Sequence, residues 1–306
     1  MAVNQLKAGA LLSYVSIALN MVIGLLYTPY MLRMLGQSEY GLYSLAASLI
    51  AYLTVLDLGF GNAIVRYTAK FRAEGKTNEQ EKMFGMFFLL YIGIGIIALI
   101  IGLVLFNNVE TIFSAKMSFQ EVGSMRIMLG LMTFNLAFTF PMSIWGSIMT
   151  AYERFVFQRI VSIIRSILNP IVMVALLVVG YKAIAMVIVT TLFNVVTLCV
   201  NWWYCKYRLS IKIRFTRFKW EFLKEVSIYS FWIFLNAIMD RIYWNTGQFI
   251  LGVYHGTEAV AIYSVAIQLK DIFYMFSTAI SGVFLPKIMT MISNGASERE
   301  VSNLFI

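Results

Sequence analysis

Residues 83–107 read MFGMFFLLYIGIGIIALIIGLVLFN, twenty-five positions without one charged side chain. A helix needs about 20 apolar residues to cross the hydrocarbon core of a bilayer, so this stretch is long enough to span one unaided. It has company. Ala8 to Leu32, Ile127 to Tyr152 and Ala183 to Cys205 are equally free of charge. A buried core helix can be this apolar, but four in a chain of 306 residues are more than one soluble core would enclose. Composition agrees: 60% of residues are hydrophobic and 13% charged, with a mean hydropathy of +0.78. A soluble domain is about half apolar and about a quarter charged. The excess apolar surface calls for lipid.

Working outward from these runs gives eight expected spans, at 10–32, 42–66, 84–107, 124–148, 156–179, 183–205, 227–251 and 260–286. Pro29, Pro141, Pro170 and Pro286 fall in or at the ends of four of them, which membrane helices tolerate because neighbours re-satisfy the freed backbone groups. The formal net charge of +9 does not indicate nucleic acid, because the basic residues sit between the apolar runs. With the N-terminus inside, the inner segments hold 18 lysines and arginines, and the outer ones hold four: Arg33, Lys116, Arg126 and Lys182. That bias predicts a cytoplasmic N-terminus. Cys199 and Cys205, six apart on a helix, lie roughly 9 Å from each other, beyond disulfide reach.

Setting position n against n+220 reveals a repeat. Gly36 meets Gly256, Tyr43 meets Tyr263, Ser44 meets Ser264, Ala46 meets Ala266, Leu49 meets Leu269 and Gly75 meets Gly295. Six spans separate the copies. Six is even, so both copies point the same way and the repeat axis runs along the membrane normal. The expected domains are a first six-helix lobe at 1–205, a basic cytoplasmic linker at 206–225 and a partial second lobe at 226–306. The second copy stops after two helices, so the chain is expected to be a fragment of a longer one, whose second copy would end near residue 440 at this repeat length.

Three segments carry a family resemblance. They are YTPYMLRMLGQSEYGLYSL (Tyr27 to Leu45), DLGFGNAIVRYTAK (Asp57 to Lys70) and YSVAIQLKDIFYMFSTAISGVFLPKI (Tyr263 to Ile288). They resemble the polysaccharide-biosynthesis flippases, the O-antigen and capsule exporters often called Wzx, within the multidrug/oligosaccharidyl-lipid/polysaccharide (MOP) exporter superfamily. The resemblance covers essentially the whole chain. It implies an all-α, multi-pass transmembrane bundle: a MATE-like first six-helix lobe plus the first two helices of a second parallel repeat. It also implies a bacterial inner-membrane location, a lipid-linked oligosaccharide as substrate, no cofactor, and contact with other polysaccharide-assembly proteins. The family has two six-helix lobes and two further helices, and this sequence ends short of that.

A flippase makes and breaks no covalent bond; it needs a polar path for a sugar and diphosphate head group. Ionisable residues at membrane depth are the pointers to such a path. Asp240 and Arg241 on the seventh span and Lys270 and Asp271 on the eighth are equidistant from the hairpin centre near residue 255, so all four are expected at one depth. Asp240 could pair with Lys270 and Arg241 with Asp271 as a structural clasp, or a cation of the set could meet substrate phosphate. Ser16 and Asn20 on the first span correspond through the repeat to Asn236 and Asp240, and each pair shares a helix face at i,i+4. The resemblance puts those faces at the cavity between lobes; interhelical hydrogen bonding is the plainer reading. Asn62 and Arg66 share a face at the end of the second span, where Arg66 either attracts head groups or is one more inner-face arginine. Asp57 points nearly the opposite way and is expected to hold helices together, with Gly59 and Gly61 permitting close packing or a bend. On the fifth span Arg159, Ser162, Arg165, Ser166 and Asn169 cluster within roughly 120° of arc. Arg165 either snorkels or lines an inward-open vestibule. Lys206 to Lys224 holds seven basic residues, with Ile211, Ile213 and Phe215 alternating with Lys212 and Arg214. It fits a segment lying on anionic inner-leaflet lipid, or one that only fixes topology.

His255 is the one histidine, expected in an outer loop, and no metal cluster, P-loop or Ser-His-Asp set appears. Besides the flippase, three readings stand: a multidrug or cation antiporter of the same superfamily, whose site should be acidic or aromatic; a polymerase, which would need a large catalytic outer loop; and an inactive fragment.

Overall fold

A computed structural model describes residues 5–215 and 220–274. It contains α1 (Gln5–Leu35), α2 (Gln37–Leu53), a 3-10 turn (Thr54–Asp57), α3 (Phe60–Ala73), α4 (Thr77–Phe113), α5 (Phe119–Ala151), α6 (Phe155–Val178), α7 (Ala183–Tyr207) and α8 (Trp220–Tyr254). Residues 257–274 are also helical. Six of the described helices are long and apolar enough to cross a membrane, α2 and α3 counting together as one; α8, bent by 52° between Ile228 and Ser230, makes a seventh. The eighth expected span is described as far as residue 274. Its remainder, with Pro286, Lys287 and Arg299, lies outside the described residues, as do Arg217 and Lys219 of the linker. The chain divides into two compact units, residues 1–264 and 265–306.

The protein is an all-α, multi-pass bundle, and its surface is that of a membrane protein. Ile96, Ile97, Ile100 and Val104 of α4 all stand exposed, on a helix whose central run has no charge to offer water. The opposite side of α4 is close-packed on α5. A Cβ on Gly95 would lie 2.7 Å from the carbonyl oxygen of Ala137, and Gly102 faces the side chain of Thr133 just as tightly. Small residues that let backbones approach are a main source of helix association in lipid, where no hydrophobic drive exists between helices. The start of α5 is fixed by a capping box: Ser118 and Glu121 exchange side-chain and backbone hydrogen bonds.

The second span, expected as one helix over 42–66, is broken. After the 3-10 turn, Leu58 (φ 53°) and Gly59 (φ 74°) are left-handed and α3 starts afresh at Phe60. The left-handed region costs an L-residue roughly 1–2 kcal/mol. Glycine avoids that cost at the second position, and a Cβ there would sit 3.0 Å from Ile233 of α8. Phe60, Ile64 and Tyr67 then bury against α4 and α5 alongside Phe84, Phe87, Tyr91, Ile144 and Trp145. A second core, at the end of α4 and the start of α5, gathers Leu42, Leu45, Phe113, Met125 and Met128.

The repeat has a structural counterpart. Gly36 and Gly256 adopt φ of 81° and 82°, each directly ahead of a helix. The two turns meet: Gln37 Nε2 donates to the carbonyl of Glu258 at 3.2 Å.

After α7, Leu209, Ile211 and Ile213 turn into the core while Lys212 and Arg214 remain exposed. Arg214 anchors the strand-like strap on α4. Its backbone N–H donates to the Glu81 carbonyl at 3.1 Å, and its Nε lies 2.7 Å from the Glu81 carboxylate. Both cysteines are free.

Candidate functional site

The clearest polar constellation inside the apolar region joins α5, α6 and α7. Asn194 is the central residue of the expected span 183–205. Arg165 Nη1 donates to Asn194 Oδ1 at 3.1 Å, and Asn194 Nδ2 donates to Asn135 Oδ1 and to Thr139 Oγ1, both at 2.8 Å. Thr139 donates in turn to the carbonyl of Asn135 at 2.7 Å. The orientation of Asn194 follows from chemistry. A guanidinium only donates, so the atom facing it must be the amide oxygen, which leaves the NH2 for the other two.

The Arg165 guanidinium reaches into the bundle and ends on the Asn194 amide. Among the described residues no carboxylate pairs with it. One turn along α6, Asn169 has a buried Oδ1 without a hydrogen-bond partner. A buried unpaired polar atom beside an uncompensated cation marks a place where a further polar group belongs.

The other expected residues are scattered around this centre. Ser16 is buried and Asn20 exposed, with Asn20 Nδ2 3.5 Å from Ser16 Oγ; so the pair shares a face as the spacing required, but Ser16 is enclosed instead of lining open space. Asn236, Asp240 and Arg241 are exposed on α8, where Asn236 Nδ2 donates to the Trp232 carbonyl at 3.0 Å. In the second unit Lys270 Nζ lies 2.5 Å from Asp271 Oδ1, a contact between chain neighbours that the hairpin argument did not anticipate. Asn62 and Arg66 are both exposed on α3, and the Arg66 guanidinium sits 5.8 Å from the Tyr67 ring centroid. His255 lines a cavity of about 1000 Å3 among helix ends, together with Glu39, Lys116, Glu121, Lys182 and Glu258. There Glu121 accepts from Ser38 and Thr257, at 2.5 and 2.7 Å.

Sequence reading found Arg165 but missed Asn135, Thr139 and Asn194. Each is an uncharged polar residue among several in its apolar run. Their position at mid-run was the available signal.

Comparison with known proteins agrees with this architecture. Residues 6–292 match the family model described as polysaccharide biosynthesis protein. A putative O-antigen transporter of Shigella flexneri is 22% identical over 275 residues, covering 85% of this chain and 60% of the relative. The chain thus spans about 60% of the length of that relative. Among solved structures, the MATE multidrug transporter DinF-BH, solved as a complex, superposes with a TM-score of 0.66 at 16% identity, over 90% of this chain and 62% of that one. A MOP superfamily transporter from Pyrococcus furiosus, whose binding pocket is described as having reverse polarity, gives 0.60 at 13% identity, over 98% and 74%. At these identities the likeness speaks for the fold.

Proposed function

The chain belongs to the polysaccharide biosynthesis protein family, and from that premise we propose that it moves a lipid-linked oligosaccharide from the cytoplasmic to the outer leaflet by alternating access. The observation that carries this reading is Arg165. A cation at mid-membrane costs several kcal/mol unless something compensates it, and its described partner is a neutral amide. A phosphate or an acidic sugar would supply the missing charge. The amides of Asn135, Asn194 and Asn169 and the hydroxyl of Thr139 offer the donors and acceptors that a sugar requires.

In this reading the first lobe is residues 1–205, the strap and linker 206–225 tie it to a partial second lobe at 226–306, and the exposed Asn20, Asn236, Asp240 and Arg241 face the path between lobes. The N-terminus lies in the cytoplasm of a bacterial cell, and the basic strap lies toward anionic inner-leaflet lipid. The multidrug or cation antiporter is the second reading, which the shared fold fits equally. A cationic substrate would be repelled by Arg165, which favours the flippase.

The test is export of surface polysaccharide in cells lacking their own O-antigen transporter, with Arg165→Gln and Arg165→Lys introduced in the complete protein. Gln keeps a hydrogen bond to Asn194 but removes the charge, so folded protein should persist while export stops; Lys should keep part of the export. Normal export by Arg165→Gln would remove the cation from the transport path.

A further inference from the structure

The break in the second span holds an acid that substrate binding does not use. Asp57 ends the 3-10 turn, within a span that runs Gln37–Ala73. Tyr91 of α4 donates its hydroxyl to Asp57 Oδ1 at 2.8 Å. A Cβ on Gly61 would lie 3.4 Å from Ser147 Oγ, 3.8 Å from Tyr91 Oη and 3.9 Å from Asp57 Oδ2, so oxygens from three helices converge on the first turn of α3. The carboxylate also faces the backbone N–H groups of Gly59 and Gly61.

The surroundings hold no counter-ion. From α4 the titratable group is Tyr91, and α5 contributes the Ser147 hydroxyl. From α8, Ile233 and the Ser230 carbonyl approach Gly59; of its charged residues, Lys224 and Glu225 precede Ser230 by six and five positions, with Glu225 accepting from Tyr67 of α3 at 2.9 Å, and Asp240 and Arg241 lie two turns beyond Ile233. From α2 comes Tyr52, which is engaged with Thr246 at 2.9 Å. On α3 the first base is the exposed Arg66. Among the described residues no cation forms an ion pair with Asp57. A charged carboxylate at membrane depth is expensive and marks a functional position, proton relays foremost. Asp57 is only half-buried.

We propose that Asp57 takes up and releases a proton during each transport cycle, and that the break in the second span responds to it. The proton comes from water and forms an O–H bond at Oδ2; Tyr91 keeps its bond to Oδ1, and no electron is transferred. A protonated Oδ2 is a much weaker acceptor for the first turn of α3. That turn loses its anionic partner, and α3, carrying Asn62 and Arg66, re-angles about Gly59, where Ile233 of α8 leaves no slack. The cycle rests on the transporter reading; the titration is a property of the empty protein.

The experiment records infrared difference spectra of the complete protein in lipid bilayers through a pH titration, without substrate, for wild type, Asp57→Asn and Tyr91→Phe. Wild type should show a protonated-carboxyl band that is missing in Asp57→Asn. The same band should move to higher frequency in Tyr91→Phe, because the C=O loses its hydrogen-bond donor. In a background with Cys199→Ser and Cys205→Ser, the labelling rate of Asn62→Cys should depend on pH, and Asp57→Asn should remove that dependence. A band that persists in Asp57→Asn, or stays in place in Tyr91→Phe, overturns the proposal. If Asp57→Asn does not fold, the Tyr91→Phe spectrum decides alone. A protein that titrates at Asp57 yet moves no lipid-linked oligosaccharide leaves this inference standing and removes the flippase reading.

Discussion

Replacing Asn194 by aspartate separates the charge of the mid-membrane cluster from its stability. The change is almost isosteric, and it puts a carboxylate where Arg165 now meets an amide oxygen at 3.1 Å. At a charge separation of about 4 Å and an effective dielectric constant of about 20, the new attraction is about 4 kcal/mol. The carboxylate no longer donates to Asn135 and Thr139, but an amide flip at Asn135 and a hydroxyl rotation at Thr139 let both donate to it. Asn194→Asp should therefore fold at least as well as wild type. The attraction of Arg165 for a phosphate of the substrate is cancelled by the same amount, equivalent to about a thousandfold in affinity. Asn194→Leu is the control. It loses two neutral intramembrane hydrogen bonds, about 0.6 kcal/mol each, and one charge-assisted bond of about 1.5–3 kcal/mol, or about 3–4 kcal/mol together. The assay pairs the yield of monodisperse protein and its thermal midpoint with surface polysaccharide output. Stability should run Asp at or above Asn, with Leu well below; export should survive only with Asn. Wild-type export by Asn194→Asp would refute the use of the Arg165 charge for substrate. An unchanged midpoint for Asn194→Leu would refute the network.

Two further outcomes follow from the fold. Gly95→Val places a branched side chain where even a Cβ would sit 2.7 Å from the Ala137 carbonyl; it should separate α4 from α5 and lower the thermal midpoint, whereas Gly93→Val, with nothing within 4 Å, should not. Single cysteines at 108–122 or 252–258 should react with an impermeant thiol reagent from outside the cell and those at 70–80 or 208–215 should not, the reverse pattern contradicting the basic-residue count.

The features legible in the sequence were those set by one helix and its solvent. Apolar runs placed the first seven spans, with helix ends up to seven residues beyond the expected limits, because lipid imposes length directly. The repeat pairing of Gly36 with Gly256 was legible because a left-handed turn demands the same residue twice. Asn20 and Ser16 sharing a face needed only helical periodicity. What depends on two helices at once was not legible. The Arg165–Asn194 contact needs the rotation of α6 against α7, which no spacing within either run encodes. Equal depth for Asp240, Arg241, Lys270 and Asp271 was an expectation from counting, and counting does not choose partners: Lys270 meets its own neighbour. The break at Leu58 and Gly59 was signalled only by the glycines, whose permission to bend became a bend through the fit of Gly59 against Ile233.

That break bears on how the protein is made. α2 has 17 residues and α3 has 14, rising about 26 Å and about 21 Å, each short of the hydrocarbon thickness of about 30 Å. α3 also carries Arg66, Lys70 and Arg72. The translocation machinery cannot hand such a segment to lipid on its hydrophobicity alone. Its apolar side, Phe60, Ile64 and Tyr67, is matched by helices that follow it in the chain, α4 and α5. α3 therefore meets its packing partners only once synthesis has passed about residue 151, where α5 ends, so this half of the span completes its packing late, with helices that leave the ribosome after it.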